Sequence, residues 1–239
     1  MPAVKANRPR RLPPHAAPPI LDARIPKQSR ADQALGFYDR HILPGLLHLV
    51  MKSRAVTRQR RDVIPAAAGR VLEIGVGSGL NLPHYGAPAR AVYGLDPAAP
   101  LLARARRTRR QATIPVALLG ASAENIPFAE ASFDSIVSSW TLCSIPDPER
   151  ALREMRRVLK PGGCFHFIEH GLAPAPGVAR WQHRLTPLWR RCAGGCHLDR
   201  DIAGLIRAAG FAVSTMETGF LIAGPRPLTY HYKGLAQRA

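Results

Sequence analysis

The sequence predicts an α/β fold with a doubly wound sheet, and three observations predict it. The apolar run Val71, Leu72, Ile74 reads as a strand buried on both faces and leads directly into three alternating glycines, Gly75, Gly77 and Gly79. A second apolar run, Ala91-Val-Tyr-Gly-Leu, ends on the carboxylate Asp96. Further β-type runs then alternate with stretches of helical composition almost to the end of the chain.

In chain order, the first element precedes the glycines. Leu35 to Met51 is apolar, broken by Pro44-Gly45 and followed by Lys52, Arg54, Arg58, Arg60 and Arg61. Pro44 cannot continue a helix, so two short helices are expected within a lid spanning residues 31–66. Such helices can cover the sheet and roof a pocket, or rest an apolar face in a membrane interface between flanking cations. Strands follow near 71–75, 91–95, 114–119, 134–139 and 163–169, with helices between them, one carrying the run Arg104 to Arg110. Asp199 to Ala209 reads as a helix stopped by Gly210. Phe211 to Thr218 and Leu228 to Tyr232 would then close the sheet as a hairpin.

The glycines supply positive φ and lack a Cβ, which permits a tight turn and close approach of a nucleotide-like ligand. The spacing is GxGxG, not the GxGxxG of the dinucleotide fingerprint. Asp96 stands where a carboxylate can accept hydrogen bonds from both hydroxyls of a ribose. The same residues also suit a plain strand-to-helix connection with Asp96 as the helix cap.

Downstream, Asn125-Ile-Pro-Phe128 precedes Ser132-Phe-Asp-Ser-Ile-Val-Ser-Ser139, and Arg150 to Lys160 leads into Pro161-Gly-Gly-Cys-Phe-His-Phe-Ile-Glu-His170. In this order, over roughly residues 35 to 232, the chain resembles the class I methyltransferases that use S-adenosyl-L-methionine. The resemblance implies a Rossmann-like, seven-stranded sheet with an antiparallel last strand and helices on both faces. It also implies that Glu73, the loop Gly75, Gly77, Gly79 and the adjoining Asn81 face the methionine part of the cofactor. Asp96 and Pro97 would meet the ribose, and Ser122, Ala123 and Glu124 the adenine. The backbone of Ser139 and Trp140 would meet the cofactor's amino group. Ser122 departs from the Asp of many relatives, which shifts the adenine contact toward backbone and Glu124. Glu73 has a purely structural alternative, bracing the glycine loop.

Two subgroups are similar in detail. Ser138 to Ile145, Phe167-Ile-Glu-His170 and Gly194-Gly-Cys-His-Leu-Asp-Arg200 look like the membrane-associated thiol S-methyltransferases, without their apolar N-terminal anchor. Phe37-Tyr-Asp39 and Arg70 to Pro83 also look like bacterial phospholipid N-methyltransferases. The acceptor is therefore expected to be a small thiol. Phosphatidylethanolamine or a quinone precursor is the alternative, and a cofactor-binding scaffold or RNA-binding protein is the non-enzymatic one. A thiol is only partly ionised at neutral pH, so a base would raise its reactive fraction. His170, following the fifth strand, is the first candidate, with Asp199 and His41 behind it. Tyr38, Cys143 and His197 are candidates for lining the acceptor.

Composition bounds the rest. The chain has 239 residues, 46% of them hydrophobic, enough for one core. Residues 1–30 carry repeated prolines and seven Lys or Arg against the single acid Asp22, and are expected to form a disordered basic arm before a single domain over 31–239. No secretory core or transmembrane-length apolar run is present in the sequence, which suggests a cytoplasmic protein, peripheral at most on the inner face of a membrane. The net charge of +18 attracts polyanions, but no basic patch is interleaved with aromatics, so nucleic acid is not expected as substrate. No obligate protein partner is inferred. Cys192-Ala-Gly-Gly-Cys196-His197 lacks the second ligand pair of structural zinc, so no metal is expected. All four cysteines are expected to be reduced.

Overall fold

The computed structural model of the chain describes residues 42–238. Tyr38, His41, the basic arm and the first part of the expected lid lie outside them. The described elements are α1 (Leu43–Met51), α2 (Arg54–Val63), β1 (Gly69–Ile74), β2 (Ala89–Leu95), α3 (Ala99–Thr108), β3 (Val116–Leu119), β4 (Phe133–Ser139), α4 (Pro148–Val158), β5 (Leu159–His170), α5 (Pro176–Cys192), α6 (Ile202–Ala208), β6 (Phe211–Phe220) and β7 (Tyr230–Arg238). The strands form one seven-stranded sheet in the order β3-β2-β1-β4-β5-β7-β6. Only β7 runs against its neighbours, pairing antiparallel with both β5 and β6.

The sheet is double-faced because its central strands alternate apolar residues between two cores. Leu72, Tyr93, Ala117 and Ile136 face a core completed by Ala151, Leu152 and Met155 of α4 and Ile202 and Ile206 of α6. Val71, Val92, Leu118 and Val137 face the other, completed by Ile64 and by Leu102 and Ala105 of α3. At about 25 cal/mol per Å² of apolar surface, such two-sided burial dominates the stability of the fold. Asp147 caps α4 by accepting the Arg150 N–H at 2.9 Å, and Asp201 caps α6 by accepting that of Gly204 at 2.9 Å.

Four expectations shift. Pro44 does not break the lid helix but sits in the first turn of α1, where its missing N–H costs nothing; the break falls at Lys52-Ser53. β3 begins only at Val116, since Pro115 cannot donate to the ladder. The helix before Gly210 starts at Ile202, not Asp199, because the Asp201 cap sets its first turn. The closing strand runs from Tyr230 to Arg238, well past Tyr232.

Candidate active site

The parallel strands direct their carboxyl ends to one edge, where the loops after β1, β2, β3, β4 and β5 converge. After β1, Gly75, Gly77 and Gly79 all adopt positive φ, at 65°, 55° and 80°. A Cβ on Gly75 would run into the Thr141 side chain, and one on Gly79 would lie 2.9 Å from Leu82 Cδ1. Among the described residues, a Cβ on Gly77 would meet nothing nearer than the Gly75 carbonyl oxygen at 3.8 Å, so within them this glycine presents bare backbone. From the lid, His48 Nδ1 lies 2.8 Å from the Ser78 hydroxyl and fastens α1 to the loop.

Under the loop is a closed polar network. Buried Glu73 accepts from Asn81 Nδ2 at 2.9 Å and from the Tyr85 hydroxyl at 2.9 Å. Asn81 also donates to Ser139 Oγ at 2.7 Å and accepts from Arg60 Nε at 2.8 Å. The Arg60 guanidinium, 3% exposed, donates to the Met51 carbonyl and lies 5.0 Å from the centroid of the Trp140 ring. Burial pushes Glu73 up to about 7, against the hydrogen bonds from Tyr85 and Asn81 and the charge of Arg60. Burial also brings Arg60 down to about 10.

Asp96 accepts the Gly77 N–H at 2.9 Å and the Ala98 N–H at 2.8 Å, one on each oxygen. Each oxygen keeps lone-pair capacity for a further donor. Burial raises this carboxyl to about 6 despite the two backbone donors. Beside it Pro97 is exposed. After β3, Ser122 Oγ donates to Glu124, whose other oxygen accepts the Asp147 N–H at 2.9 Å, while Ala123 is buried. After β4, Trp140 holds φ 51°, an uncommon conformation for a residue with a Cβ, and its N–H donates to the Ile168 carbonyl at 2.7 Å. The loop that follows is organised by Glu169, which is fully buried and accepts from Ser138 Oγ at 2.6 Å, Thr141 N–H at 3.2 Å and Cys143 N–H at 3.3 Å. Burial raises Glu169 to about 7.

At the far end, His170 is buried with Nδ1 at 3.4 Å from Cys196 Sγ, and its ring stacks on His231 at 5.1 Å between centroids. Its Nε2 is buried without a hydrogen-bond partner among the described residues. Cys143 and Cys196, both buried, have their Sγ atoms 3.5 Å apart. Burial lowers His231 to about 4. His197 and Asp199 sit on the turn before α6, with His197 Nδ1 and His183 Nδ1 at 3.8 and 3.0 Å from the Asp199 carboxylate.

The structure thus gathers Glu73, Gly75, Gly77, Gly79, Asn81, Asp96, Ser139 and Trp140 at one end and Cys143 and His170 at the other. His197 joins them through its backbone N–H, which donates to the Cys143 carbonyl at 2.9 Å. Asp199 instead pairs with the half-exposed His183 at the surface. Cys192 is exposed at the end of α5 while Cys196 is buried, so the two do not face a common point. Among the described residues no group of three or more His, Cys, Asp or Glu side chains converges with metal-binding geometry. Sequence reasoning missed Arg60, Tyr85 and His231. Arg60 is hidden in an arginine run, and only its burial distinguishes it.

The bare backbone at Gly77 beside a carboxylate with spare acceptor capacity fits a ribose-bearing cofactor. Comparison with known proteins agrees. A family model described as a methyltransferase domain matches residues 72–167. Thiol S-methyltransferase TMT1B of Rattus norvegicus is 32% identical over 151 residues, 62% of this chain and 62% of that one. The chain therefore spans less than two thirds of that relative's length. The Mus musculus protein of the same name is 31% identical over 172 residues, 70% of each chain. Phosphatidylethanolamine N-methyltransferase of Cereibacter sphaeroides is 37% identical over 120 residues, 49% of this chain and 59% of that one. Among solved structures, a SAM-dependent methyltransferase of Thermotoga maritima superposes with a TM-score of 0.58 at 20% identity, covering 84% of this chain and 99% of that one. The chain belongs to the class I S-adenosylmethionine-dependent methyltransferases.

Proposed function

We propose that this protein transfers the methyl group of S-adenosylmethionine to a small, apolar thiol. The observation that carries the reading is His170, a buried imidazole at the end assigned to the acceptor whose Nε2 has no hydrogen-bond partner among the described residues. When bound, the cofactor supplies an already activated sulfonium methyl, so the protein has chiefly to position, exclude water and move one proton. In this reading Gly77 and Asn81 face the methionine part, Asp96 and Pro97 the ribose, Ser122, Ala123 and Glu124 the adenine, and the Ser139-Trp140 backbone the amino group. Glu73 acts one step back. Its buried carboxylate accepts from Asn81 and Tyr85, both from the segment that follows β1, so it holds the loop rather than the ligand. His170 takes the thiol proton on Nε2. The likeness to a thiol S-methyltransferase over 70% of the chain supports this acceptor class over the phospholipid amine, whose enzyme matches over 49%.

A second observation bears on how the acceptor arrives. α1 exposes Leu46, Leu49 and Val50, and α5 exposes Trp181 and Leu188. Exposed Lys52, Arg54, Arg58 and Arg61 follow α1. We read the apolar side of α1, with the cations that follow it, as a peripheral contact with an anionic cytoplasmic membrane surface, through which an apolar acceptor reaches the site. Among the described residues no helix is long and apolar enough to cross a membrane.

The test is transfer of label from methyl-labelled S-adenosylmethionine to a thiol series, to phosphatidylethanolamine vesicles and to a quinone precursor. Label on thiol supports the proposal, and label confined to lipid or quinone overturns it. In His170→Ala, thiol turnover at pH 7 should fall by about 10²-fold, with cofactor affinity kept and the deficit narrowing as pH approaches the thiol's own pKa. A deficit equal at pH 6 and pH 9 would remove His170 as the base.

A further inference from the structure

Cys143 and Cys196 come from segments far apart in sequence, yet the fold fixes them side by side. The His197 N–H donates to the Cys143 carbonyl at 2.9 Å, which locks the backbone of the 193–200 turn onto the loop after β4. Two glycines adjoin Cys196, Gly194 and Gly195, and occupy positive φ at 61° and 82°. The two Sγ atoms are 3.5 Å apart, and the His170 ring is in contact with one of them. A disulfide needs about 2.0 Å between sulfurs, a gap that side-chain rotation and a small movement of a glycine turn can close.

We propose that Cys143 and Cys196 form a reversible, peroxide-driven disulfide that turns the enzyme off. Cys196 is the attacking sulfur. Its sulfur lies 3.4 Å from His170 Nδ1; pairing with Cys143 and the His170 ring push its thiol below the ordinary range, while the same pairing, with burial, raises that of Cys143. The Cys196 thiolate attacks one oxygen of hydrogen peroxide, the O–O bond breaks, and the departing hydroxide takes the proton that the thiol had lost, leaving as water. The Cys143 sulfur then attacks the Cys196 sulfenic sulfur, the S–O bond breaks, and the second oxygen leaves as water with the Cys143 proton. Two thiols and one peroxide thus give one disulfide and two waters. A dithiol reductant reverses it by exchange. The bond would tie the 193–200 turn covalently to the loop that Glu169 organises, and would turn the thiol that lies against His170 into a disulfide sulfur with no proton to exchange.

The experiment uses the full chain carrying Cys192→Ser, which keeps a donor at that exposed position and leaves Cys196 as the sole cysteine of its tryptic peptide. The protein is treated with hydrogen peroxide, alkylated with iodoacetamide and digested with trypsin, whose cleavage at Arg110, Arg150, Arg191 and Arg200 frees peptides 111–150 and 192–200. The proposal expects these peptides linked, with loss of two hydrogens, and separated again by dithiothreitol. Recovery of both cysteines alkylated, under peroxide that oxidises the half-buried Cys164, overturns it. Cys143→Ser removes only the resolving sulfur, so peroxide should leave a dimedone-reactive sulfenic acid on Cys196; no adduct there overturns the assignment of Cys196 as the attacking sulfur. Only the loss of activity rests on the methyltransferase reading. Methyl transfer should fall in step with the linked fraction and return on reduction. A fully linked protein that is as active as the reduced one would overturn the switch while leaving the acceptor assignment to be judged by the label.

Discussion

At the glycine-loop end of the crevice each carboxylate oxygen of Glu73 and Asp96 has a protein donor, and even the buried Arg60 is engaged through Asn81, Met51 and Trp140. At the other end, where the acceptor is proposed to bind, His170 Nε2 is buried without a partner among the described residues and the neighbouring contacts are made by soft sulfur atoms at 3.4 to 3.5 Å. An unpartnered buried polar atom costs about 1–3 kcal/mol, so the fold tolerates at one end what it excludes at the other. The difference separates two tasks. On the proposed assignment, a cofactor common to a whole family would meet a prepaired cradle, whereas the end assigned to the acceptor would keep a polar atom unspent for a partner that comes and goes.

Two glycines only two residues apart break the comparison most sharply, and the largest effect is expected there. Gly75→Ala drives a Cβ into Thr141 while holding positive φ, and should destabilise the fold by about 3 kcal/mol, the sum of left-handed strain and overpacking. Gly77→Ala meets no described atom nearer than 3.8 Å, so only the strain of about 1–2 kcal/mol remains, yet its Cβ occupies the side where the proposed cofactor would sit. Urea unfolding together with cofactor titration checks both. Equal stability losses, or a Gly77→Ala protein with unchanged cofactor affinity, would show that the open side of the loop is not where the cofactor sits.

Asp96→Ala comes next. It removes acceptors for ribose hydroxyls and should weaken S-adenosylmethionine binding by about 1.5–3 kcal/mol, read by calorimetry. Because Asp96 also holds the Gly77 and Ala98 N–H groups, Asp96→Asn is the sharper control: it keeps one acceptor oxygen and should recover part of the loss. Unchanged affinity in both variants would sink the ribose assignment.

The cradle was legible in the sequence because its signals are local. Three glycines after a strand and a carboxylate at the end of the next one specify positions within one βαβ unit, and the two-faced alternation of Val71 with Leu72 or Val92 with Tyr93 follows from the pleat. The acceptor end was legible only in part, since His170, Cys143 and His197 were read from family likeness, and their meeting with Cys196 and His231 depends on four segments that topology alone brings together. Two elements carried almost no local signal. The interior face of α5 buries Gln182 and Thr186 rather than an apolar stripe, and the helix contains Pro187. The second half of β7, Lys233 to Arg238, reads as a polar tail but is central in the sheet between β5 and β6.

The smallest expected effect tests whether the cradle is strained by its own burial. The Glu73 carboxyl has its pKa raised to about 7 from an ordinary value of 4.5, so between those values the folded chain holds a proton that the unfolded chain has released. The stability this contributes is complete below about pH 4.5 and is lost as pH rises through 7. Glu169, also near 7, behaves the same way. The buried His166 and His231, both lowered to about 4, act with opposite sign, and their share is lost as pH falls from 6.5 toward 4. Glu73→Gln removes one carboxyl while preserving shape: the amide oxygen can accept from Asn81 and the amide nitrogen can donate to the Tyr85 oxygen. Histidine contributions are common to both proteins, so the difference between them isolates Glu73. From pH 6 to pH 8 the parent should lose about 1 kcal/mol more than the variant, a difference read from urea midpoints at the two pH values. Parallel profiles would mean that Glu73 is ionised throughout, with Arg60 rather than a proton neutralising it, and that the cradle is an ion-pair device.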